Sequence, residues 1–247
     1  SIKLFIPYLV HFDLIPEFSV SSGAKVYVNG EEQTAGSSKV NFLKPVEYKV
    51  VSASGDVRCY KVHIYNSGLP VVYVSTNGKR SINDKVTWLP QTFEVYYEDG
   101  RLDYKGTTDS IKGRGNSTWS ASTKKPYAVK LDHKAEILGM LEHKRWCLMA
   151  NYYDATFFRN ELANYLSKRY TSAYWSPSGY NVELVLNSEH VGNYYLCEQV
   201  KNSGDRVSAD FLIEVDRKAN QTENQRGDII GAKTNNHFFF KDPERKE

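Results

Sequence analysis

The sequence predicts an α+β chain in which a small all-β sandwich is followed by a mainly antiparallel β-sheet lobe with one principal helix. Short runs of alternating apolar and polar residues recur, and turn residues separate them at intervals of about 8–12 residues, as in sandwiches. The composition also favours strands, because the 18 Tyr and an aromatic content of 13% suit half-buried pleated surfaces. One long segment carries the apolar period of about 3.6 residues that is typical of an amphipathic helix.

Residues 1–67 are predicted to form the sandwich. Three alternating strands are expected, at Lys25–Val28, Val46–Val51 and 58–65. Asn29-Gly30 follows the first of them and is a strong signal for a two-residue hairpin turn. No Cys-Trp-Cys framework is present, so the sandwich is immunoglobulin-like in architecture alone. Residues 66–68 have the composition of a linker, and residues 69–247 are expected to form the second domain.

The second domain shows longer strands and the principal helix. Strands are expected at 69–76, 92–98, 109–113, 127–131, 145–150, 181–186, 193–198, 211–215 and 237–241. A short polar connector makes 181–186 and 193–198 an expected antiparallel hairpin. The helix is predicted over 154–169, with Asp154 as its N-cap. Its apolar stripe consists of Phe158, Leu162, Tyr165 and Leu166.

Composition and charge exclude several classes of function. The 32 Lys and Arg against 29 Asp and Glu leave a net charge of +3, which gives no electrostatic reason to expect nucleic acid as a partner. No run of about eighteen apolar residues exists, so no transmembrane segment is expected. Cys59, Cys147 and Cys197 each have apolar or aromatic neighbours and are predicted to be buried free thiols. No Cys-x-x-Cys motif occurs, so a zinc site is not expected.

The densest group of potential ligand-binding residues follows the strand expected at 109–113. Its glycines allow a ligand to approach the backbone closely, and its Ser and Asn side chains and free N–H groups can cradle an anion. The segment matches neither Gly-x-Gly-x-x-Gly nor a Walker loop, and on these residues alone a glycine-rich hairpin turn is favoured. The residues are Gly113, Arg114, Gly115, Asn116, Ser117 and Thr118.

Lys130 lies in the next alternating strand, on the face opposite Tyr127, Val129 and Leu131. A strand lysine behind a glycine-rich loop can contact phosphate oxygens as a point charge. Taken alone, Lys130 would be interpreted as a solvent-facing residue. The order of strand, glycine loop and lysine-bearing strand makes phosphate binding more credible.

Further candidates lie later in the chain. On the predicted helix, Glu161 could face a lysine across a cleft, although a surface helix charge is commoner. Asp205 and Arg206 form a second candidate pair. Glu214 and Asp216 lie on one face of a strand and could bind a metal, although exposed strand charges are commoner.

A family resemblance rests on a series of motifs along the second domain. They are Gly113-Arg114-Gly115-Asn116-Ser117-Thr118-Trp119, Lys125-Pro126-Tyr127-Ala128-Val129-Lys130, Asn151-Tyr152-Tyr153-Asp154 with Arg159-Asn160-Glu161, Gly192-Asn193-Tyr194-Tyr195-Leu196-Cys197-Glu198, Asp205-Arg206-Val207 and Phe211-Leu212-Ile213-Glu214-Val215-Asp216. In this order they resemble the CotH kinase family, the spore coat protein H type of atypical protein kinase, over residues 69–247. Through Val26-Tyr27-Val28-Asn29-Gly30, the first domain resembles an immunoglobulin-like module of Bacteroidetes-type secreted proteins.

The resemblance implies a kinase-like small lobe that binds ATP with Mg²⁺ and serves the phosphorylation of Ser or Thr in a protein substrate. It implies that residues 113–118 are the phosphate-proximal loop and that Lys130 meets the phosphates. It makes Glu198 the start of a hinge-like segment next to the adenine, and Glu161 the ion-pair partner of Lys130. It also implies a bacterial extracytoplasmic or cell-surface location, with any signal peptide outside this chain.

One departure from the family is the absence of a Trp-Asp-Phe-Asp type segment, whose Asp is the expected metal ligand. Trp88, Trp119, Trp146 and Trp175 are followed by Leu, Ser, Cys and Ser. We therefore expect that the chain is truncated before the catalytic lobe and holds no catalytic residue. It is expected to bind no cofactor tightly and to be inactive by itself. The longer parent protein is expected to be a kinase. The alternatives are a non-enzymatic cell-surface binding module and a structural coat module.

Overall fold

A computed structural model describes residues 1–170, 175–204, 206–215, 229–230 and 237–242. The first part of the chain, which we call the N-terminal module, contains a five-stranded and a two-stranded sheet. The larger sheet has the order β1-β7-β6-β3-β4, with β1 at Ile2–Phe5, β3 at Lys25–Val28, β4 at Glu31–Glu32, β6 at Val46–Val51 and β7 at Val57–Tyr65. The smaller sheet pairs β2, Asp13–Leu14, with β5, Val40–Asn41.

The N-terminal module matches the predicted strands closely. Asn29 and Gly30 both have positive φ, 51° and 86°, and connect β3 to β4, so the Asn-Gly signal identified the hairpin correctly. Val26 and Val28 alternate inward from β3, and with Phe42 and Tyr48 they form a core between the two sheets. The predicted sandwich architecture is consistent with these two sheets.

The second part of the chain is a closed seven-stranded barrel, followed by a small three-stranded sheet. The barrel has the order β10-β11-β12-β14-β13-β8-β9. Its strands are β8 at Val71–Thr76, β9 at Leu89–Tyr96, β10 at Leu102–Gly113, β11 at Tyr127–Ile137, β12 at Met140–Met149, β13 at Gly179–Leu186 and β14 at Glu189–Glu198. Side chains fill its interior; Phe93, Val95, Trp146 and Leu196 each have 0% exposed surface. A 3₁₀ turn, Asn77–Lys79, lies between β8 and β9.

The expected mainly antiparallel sheet is confirmed, but it closes into a barrel and does not form the expected kinase-like lobe. β8 pairs antiparallel with β9 on one side and parallel with β13 on the other, through Val71↔Glu183 to Val74↔Leu186. Alternation predicted the strands and the antiparallel hairpin of β13 and β14. It carries no information about a parallel partner more than a hundred residues away, because such pairing is set by the tertiary core.

In the described part of the chain, the helices α1, at Ser117–Ala121, and α2, at Arg159–Tyr170, lie outside the barrel strands. The predicted helix therefore starts five residues later than expected. Asp154 still stabilises its first turn, because its Oδ2 accepts a 2.8 Å hydrogen bond from the Arg159 N–H. The predicted apolar stripe is not buried: Phe158, Leu162, Tyr165 and Leu166 are 48%, 40%, 55% and 41% exposed.

The last described strands form a sheet of the order β15-β17-β16. They are β15 at Leu212–Val215, β16 at Ile229–Ile230 and β17 at His237–Asp242. Strands expected at 211–215 and 237–241 are thereby confirmed. Within the described ranges, neither helix combines the length and apolar character needed to cross a membrane.

The N-terminal module contacts the barrel near β8, β9 and β14. The Tyr73 hydroxyl donates a 3.0 Å hydrogen bond to the Tyr8 carbonyl oxygen, and the Tyr8 ring lies 4.9 Å from the His190 ring. The His11 ring lies 5.8 Å from the Tyr96 ring of β9. The division of the chain between residues 67 and 69 stays a prediction.

Candidate functional site

Strand β11 presents opposite sets of residues to the inside and the outside of the barrel. Tyr127, Val129 and Leu131 point inward, and the latter two have 0% exposed surface. Ala128 and Lys130 alternate with them and therefore lie on the outer face, where Lys130 is exposed. The orientation of Lys130 agrees with the one expected from alternation.

Three cations lie close together on this outer face, and we call them the cationic row: Lys112 of β10, Lys130 of β11 and Arg145 of β12. Lys130 is directly opposite Arg145, and Lys112 is directly opposite Ala128. The Lys112 ammonium and the Arg145 guanidinium each lie 4.9 Å from the centre of the Trp88 ring. Three positive charges on adjacent strands make this surface attractive to an anion.

Burial and charge crowding affect the cationic row itself. Burial lowers the pKa of Lys112, and the positive charge of Arg145 lowers it further. Asp84 partly offsets this effect by favouring the charged form of Lys112. An incoming anion would relieve the repulsion between Lys112 and Arg145, so these residues gain more from an anion than isolated surface lysines do.

The predicted phosphate loop lies at the end of the barrel beside this face. Gly113 ends β10, and its N–H donates to the Asp84 carbonyl oxygen at 2.9 Å. The Arg114 N–H donates to the Pro126 carbonyl oxygen at 3.1 Å. These two N–H groups already have backbone partners, so they are not free to bind an anion. Gly115 has a φ of 80° and makes the turn into α1.

The remaining loop residues have separate surroundings. Arg114 donates from its side chain to the Met149 sulfur, so its guanidinium lies across the outer face near β12. The Asn116 Oδ1 accepts a 3.4 Å hydrogen bond from Lys85. Ser117 is exposed and Thr118 half-buried, and both belong to the five-residue helix α1. Of the predicted loop, Arg114 is the side chain that the structure brings to the same face as Lys130.

Glu198 does not face a ligand surface, because its carboxylate is enclosed at the barrel end. It accepts hydrogen bonds from the N–H groups of Ser178 at 2.7 Å and Leu141 at 3.2 Å. Its Oε1 also lies 3.9 Å from Nε of Arg206, and both side chains have 0% exposed surface. The segment after it, Gln199 and Val200, reaches the surface beside Arg145; the Gln199 N–H donates to the Arg145 carbonyl oxygen at 3.4 Å.

Glu161 lies on α2, on a different part of the outer face from Lys130. Its Oε2 accepts a 2.8 Å hydrogen bond from Nδ2 of Asn181 on β13. Helix α2 is further tied to the neighbouring strand by a 3.3 Å hydrogen bond from Asn164 to the Tyr195 hydroxyl. Glu161 therefore makes an amide contact on β13 in place of the expected ion pair with Lys130.

The other predicted candidates have diverse positions. Arg206 is a buried structural residue whose guanidinium donates to carbonyl oxygens of Gln199 at 2.8 Å and Arg145 at 3.1 Å. Asp205 and Asp216 lie outside the described residues, and Glu214 belongs to β15. In the described part of the chain, no three His, Cys, Asp or Glu side chains come together at metal-binding spacing.

Sequence reasoning missed Trp88 and Arg145. Arg145 could have been found by the argument that identified Lys130, because it also alternates with a buried aromatic residue, Trp146. No sequence signal identifies Trp88, since its place between Lys112 and Arg145 depends on the pairing of three strands.

Comparison with known proteins identifies the family of the chain. The family model described as CotH kinase protein matches residues 111–238, slightly more than half of the chain. The match begins at the end of β10 and includes Lys112, Lys130 and Arg145. No curated protein matches the chain.

Proposed function

The chain belongs to the CotH kinase protein family, and we propose that it binds ATP as part of a protein kinase that modifies Ser or Thr residues. The phosphates bind to the outer face of β10, β11 and β12. Lys130, Lys112 and Arg145 hold them, and the Arg114 side chain lies at the edge of the same surface. A kinase-like function follows from the family at the coarse level, whereas the nucleotide and its position are our proposal.

The observation that carries this proposal is the pairing of Lys130 with Arg145 on one exposed face, next to Lys112 and Trp88. Phosphate recognition draws on several cations that converge on one surface. Lysine supplies a compact point charge, whereas arginine supplies a fork of donors that matches two phosphate oxygens. Both types are present within adjacent strands, which lie about 5 Å apart.

The base lies beside Gln199 and Val200 in this proposal. The Gln199 N–H is hydrogen-bonded to the Arg145 carbonyl oxygen, and Val200 is 48% exposed. Lys130 and Gln199 are separated by two strand spacings, about 10 Å, which an extended nucleoside triphosphate can span. The carboxylate of Glu198 holds this segment in place from inside the barrel and does not touch the base.

Magnesium is the metal that the family implies. The described residues offer no group of three acidic, His or Cys side chains to hold it. Mg²⁺ prefers carboxylate and phosphate oxygens, and the surface described here is cationic. The described residues of this surface therefore do not fit a bound Mg²⁺ ion.

The proposed phosphoacceptor is a protein, and the proposed location is the bacterial envelope or cell surface. Both proposals are supported by the family resemblance alone.

A second candidate function is a non-enzymatic surface module that binds through the N-terminal module. The observation in its favour is a groove of about 1220 Å³ beside the larger sheet. Its apolar lining includes Ile2, Leu4, Ile15, Phe18, Tyr60 and Val62.

Calorimetric titration of the full chain with ATP tests the proposal. We expect Lys130→Ala to weaken ATP binding at least about tenfold, which corresponds to about 1.4 kcal/mol. Lys49→Ala is the matched control, because Lys49 is also an exposed strand lysine but lies in β6 of the N-terminal module. Equal affinity of Lys130→Ala and the wild-type chain would contradict the phosphate role, and no saturable ATP binding by the wild-type chain would favour the second candidate.

A further inference from the structure

Two cysteines that are fifty positions apart in the sequence are direct neighbours in the barrel. Cys147 of β12 is paired in register with Cys197 of β14. Both lie on the outer face of the sheet and are only 3% and 8% exposed; Cys147 is also paired with Ala128 of β11. They form a small cluster with Tyr195 and Met149.

The geometry suits a covalent bond between the two sulfurs. Residues directly opposite each other in an antiparallel pair have Cα atoms about 4.5 or 5.5 Å apart, and both separations lie within the range of disulfides. Both cysteines are free thiols in the structure. Gly179 of β13 is the next residue across the sheet, and a Cβ there would collide with the Tyr195 ring and the Cys197 Cβ. The absence of a side chain at Gly179 leaves room for the sulfurs.

The surroundings also activate one of the thiols. Interaction with the Cys197 thiol, and to a lesser degree the positive charge of Arg114, lower the pKa of Cys147 against the opposing effect of burial, while the same interaction raises the pKa of Cys197. Cys147 is therefore the thiol of the pair that ionises more readily, and the thiolate is the reactive form. Cys59, the third cysteine, is exposed in β7 of the N-terminal module, which corrects its predicted burial.

We propose that Cys147 and Cys197 are a redox site that a hydroperoxide converts into a disulfide across β12 and β14. This inference does not rest on nucleotide binding.

The proposed reaction takes place in two steps. The Cys147 thiolate attacks one peroxide oxygen, becomes a sulfenic acid and releases hydroxide, which takes up a proton to give water. The Cys197 sulfur then attacks the Cys147 sulfur, and the departing hydroxide takes the Cys197 proton to form a second water. Two thiols and one hydrogen peroxide give one disulfide and two waters. A dithiol reductant reverses the reaction by thiol–disulfide exchange.

The disulfide would join the two strands that flank α2 and β13 in the sequence. It closes the whole segment between positions 147 and 197 into a covalent loop, which lowers the entropy of the unfolded chain. The oxidised chain is therefore expected to be the more stable form. The bond also fixes the strands on which Arg145 and Gln199 are carried.

The test is oxidation of the full chain in a Cys59→Ser background, with hydrogen peroxide as the probe. After the remaining thiols are alkylated, peptide mapping by mass spectrometry should find one peptide pair that links positions 147 and 197. The melting temperature should rise by at least about 5 °C and return to its starting value after treatment with dithiothreitol. Cys197→Ser should give no linked pair and should accumulate sulfenic acid at Cys147.

Two results would overturn the proposal. One is oxidation that stops at Met149 sulfoxide, or at sulfinic acid on Cys147, without a linked pair in the Cys59→Ser chain. The other is a linked pair whose formation lowers the melting temperature, because that bond would not fit the native register. Peptide mapping of the Cys59→Ser chain decides the question even if a variant at position 147 or 197 fails to fold.

Discussion

The carboxylate of Glu198 and the guanidinium of Arg206 lie 3.9 Å apart, and neither side chain has any exposed surface. The Arg206 guanidinium also lies over the Trp146 ring at 5.1 Å. This ion pair closes one end of the barrel, and it fixes the segment that follows β14 because Arg206 donates to the Gln199 carbonyl oxygen.

Replacement of Arg206 should therefore destabilise the fold strongly. Arg206→Met keeps an apolar stem on Trp146 but leaves Glu198 charged and unpaired, at an expected cost of about 3–5 kcal/mol in the free energy of unfolding. Addition of Glu198→Gln should recover part of this loss, since Gln still accepts a hydrogen bond from Ser178 or Leu141. Urea denaturation measures both effects.

The control for this prediction is Arg101→Ala. Arg101 forms an exposed ion pair with Asp99 at 3.7 Å, and such pairs contribute about 0–1 kcal/mol. Equal losses for Arg206→Met and Arg101→Ala would contradict the assigned structural role of Arg206.

His143 should make stability depend on pH. Burial, and secondarily the charge of Arg206, lowers the pKa of His143 to about 4. The Nδ1 of His143 accepts a 2.9 Å hydrogen bond from the Arg145 N–H, and only the neutral ring can accept it. As the pH falls, His143 of the unfolded chain is protonated near pH 6.5, whereas His143 of the folded chain is protonated only near pH 4. The stability is therefore complete above pH 6.5 and declines as the pH falls towards 4.

We expect this decline to amount to about 1–2 kcal/mol, which allows for the partial exposure of the ring. His143→Asn retains an acceptor near Nδ1 but does not titrate, so its unfolding free energy should fall less between pH 7.5 and 4.5 than that of the wild-type chain. Chemical denaturation at a series of pH values gives the comparison. Parallel curves for the two proteins would show that His143 is not the responsible group.

Gly113 should prove important for packing as well as for the loop. A Cβ at this position would meet the Trp119 ring and lie 2.7 Å from the Asp84 carbonyl oxygen. Gly113→Ala should therefore lower the free energy of unfolding by about 1–3 kcal/mol, as overpacking does. Thermal melting measures the change.

The matched control is Gly204→Ala, because a Cβ at Gly204 meets nothing within 4 Å. It should melt close to the wild-type chain. If Gly113→Ala melts at the same temperature as Gly204→Ala, the close approach of Trp119 to Gly113 is not a constraint on this position.

The sequence predicted local structure well and long-range pairing poorly. Alternation located β3 and β6 to the residue, and Asn29-Gly30 located the turn between β3 and β4, because these signals depend on neighbouring residues alone. The parallel pairing of β8 with β13 closes the barrel, and no local pattern specifies it. The exposed stripe of α2 has the same cause: periodicity indicates which side of a helix is apolar, but not whether another element covers it.

The candidate site was predictable to the same extent. Alternation placed Lys130 on the outer face, but its neighbour Arg145 follows from strand register. Glu198 was expected near a ligand, whereas the structure buries its carboxylate against Arg206, a partner that lies in a separate loop. The Cys147–Cys197 pair was missed because pairing of β12 with β14, which are not consecutive strands, brings the two residues together.

Amide NMR shifts of the ¹⁵N-labelled full chain during titration with ATP test the central claim most directly, because they locate the nucleotide on the molecule. We predict that the amides of Lys130, Arg145 and Gln199 shift together and saturate with one binding constant, and that inorganic triphosphate reproduces the shifts at Lys130 and Arg145 but not at Gln199. Shifts confined to the groove of the N-terminal module, or no saturable shift at Lys130 and Arg145, would contradict the account.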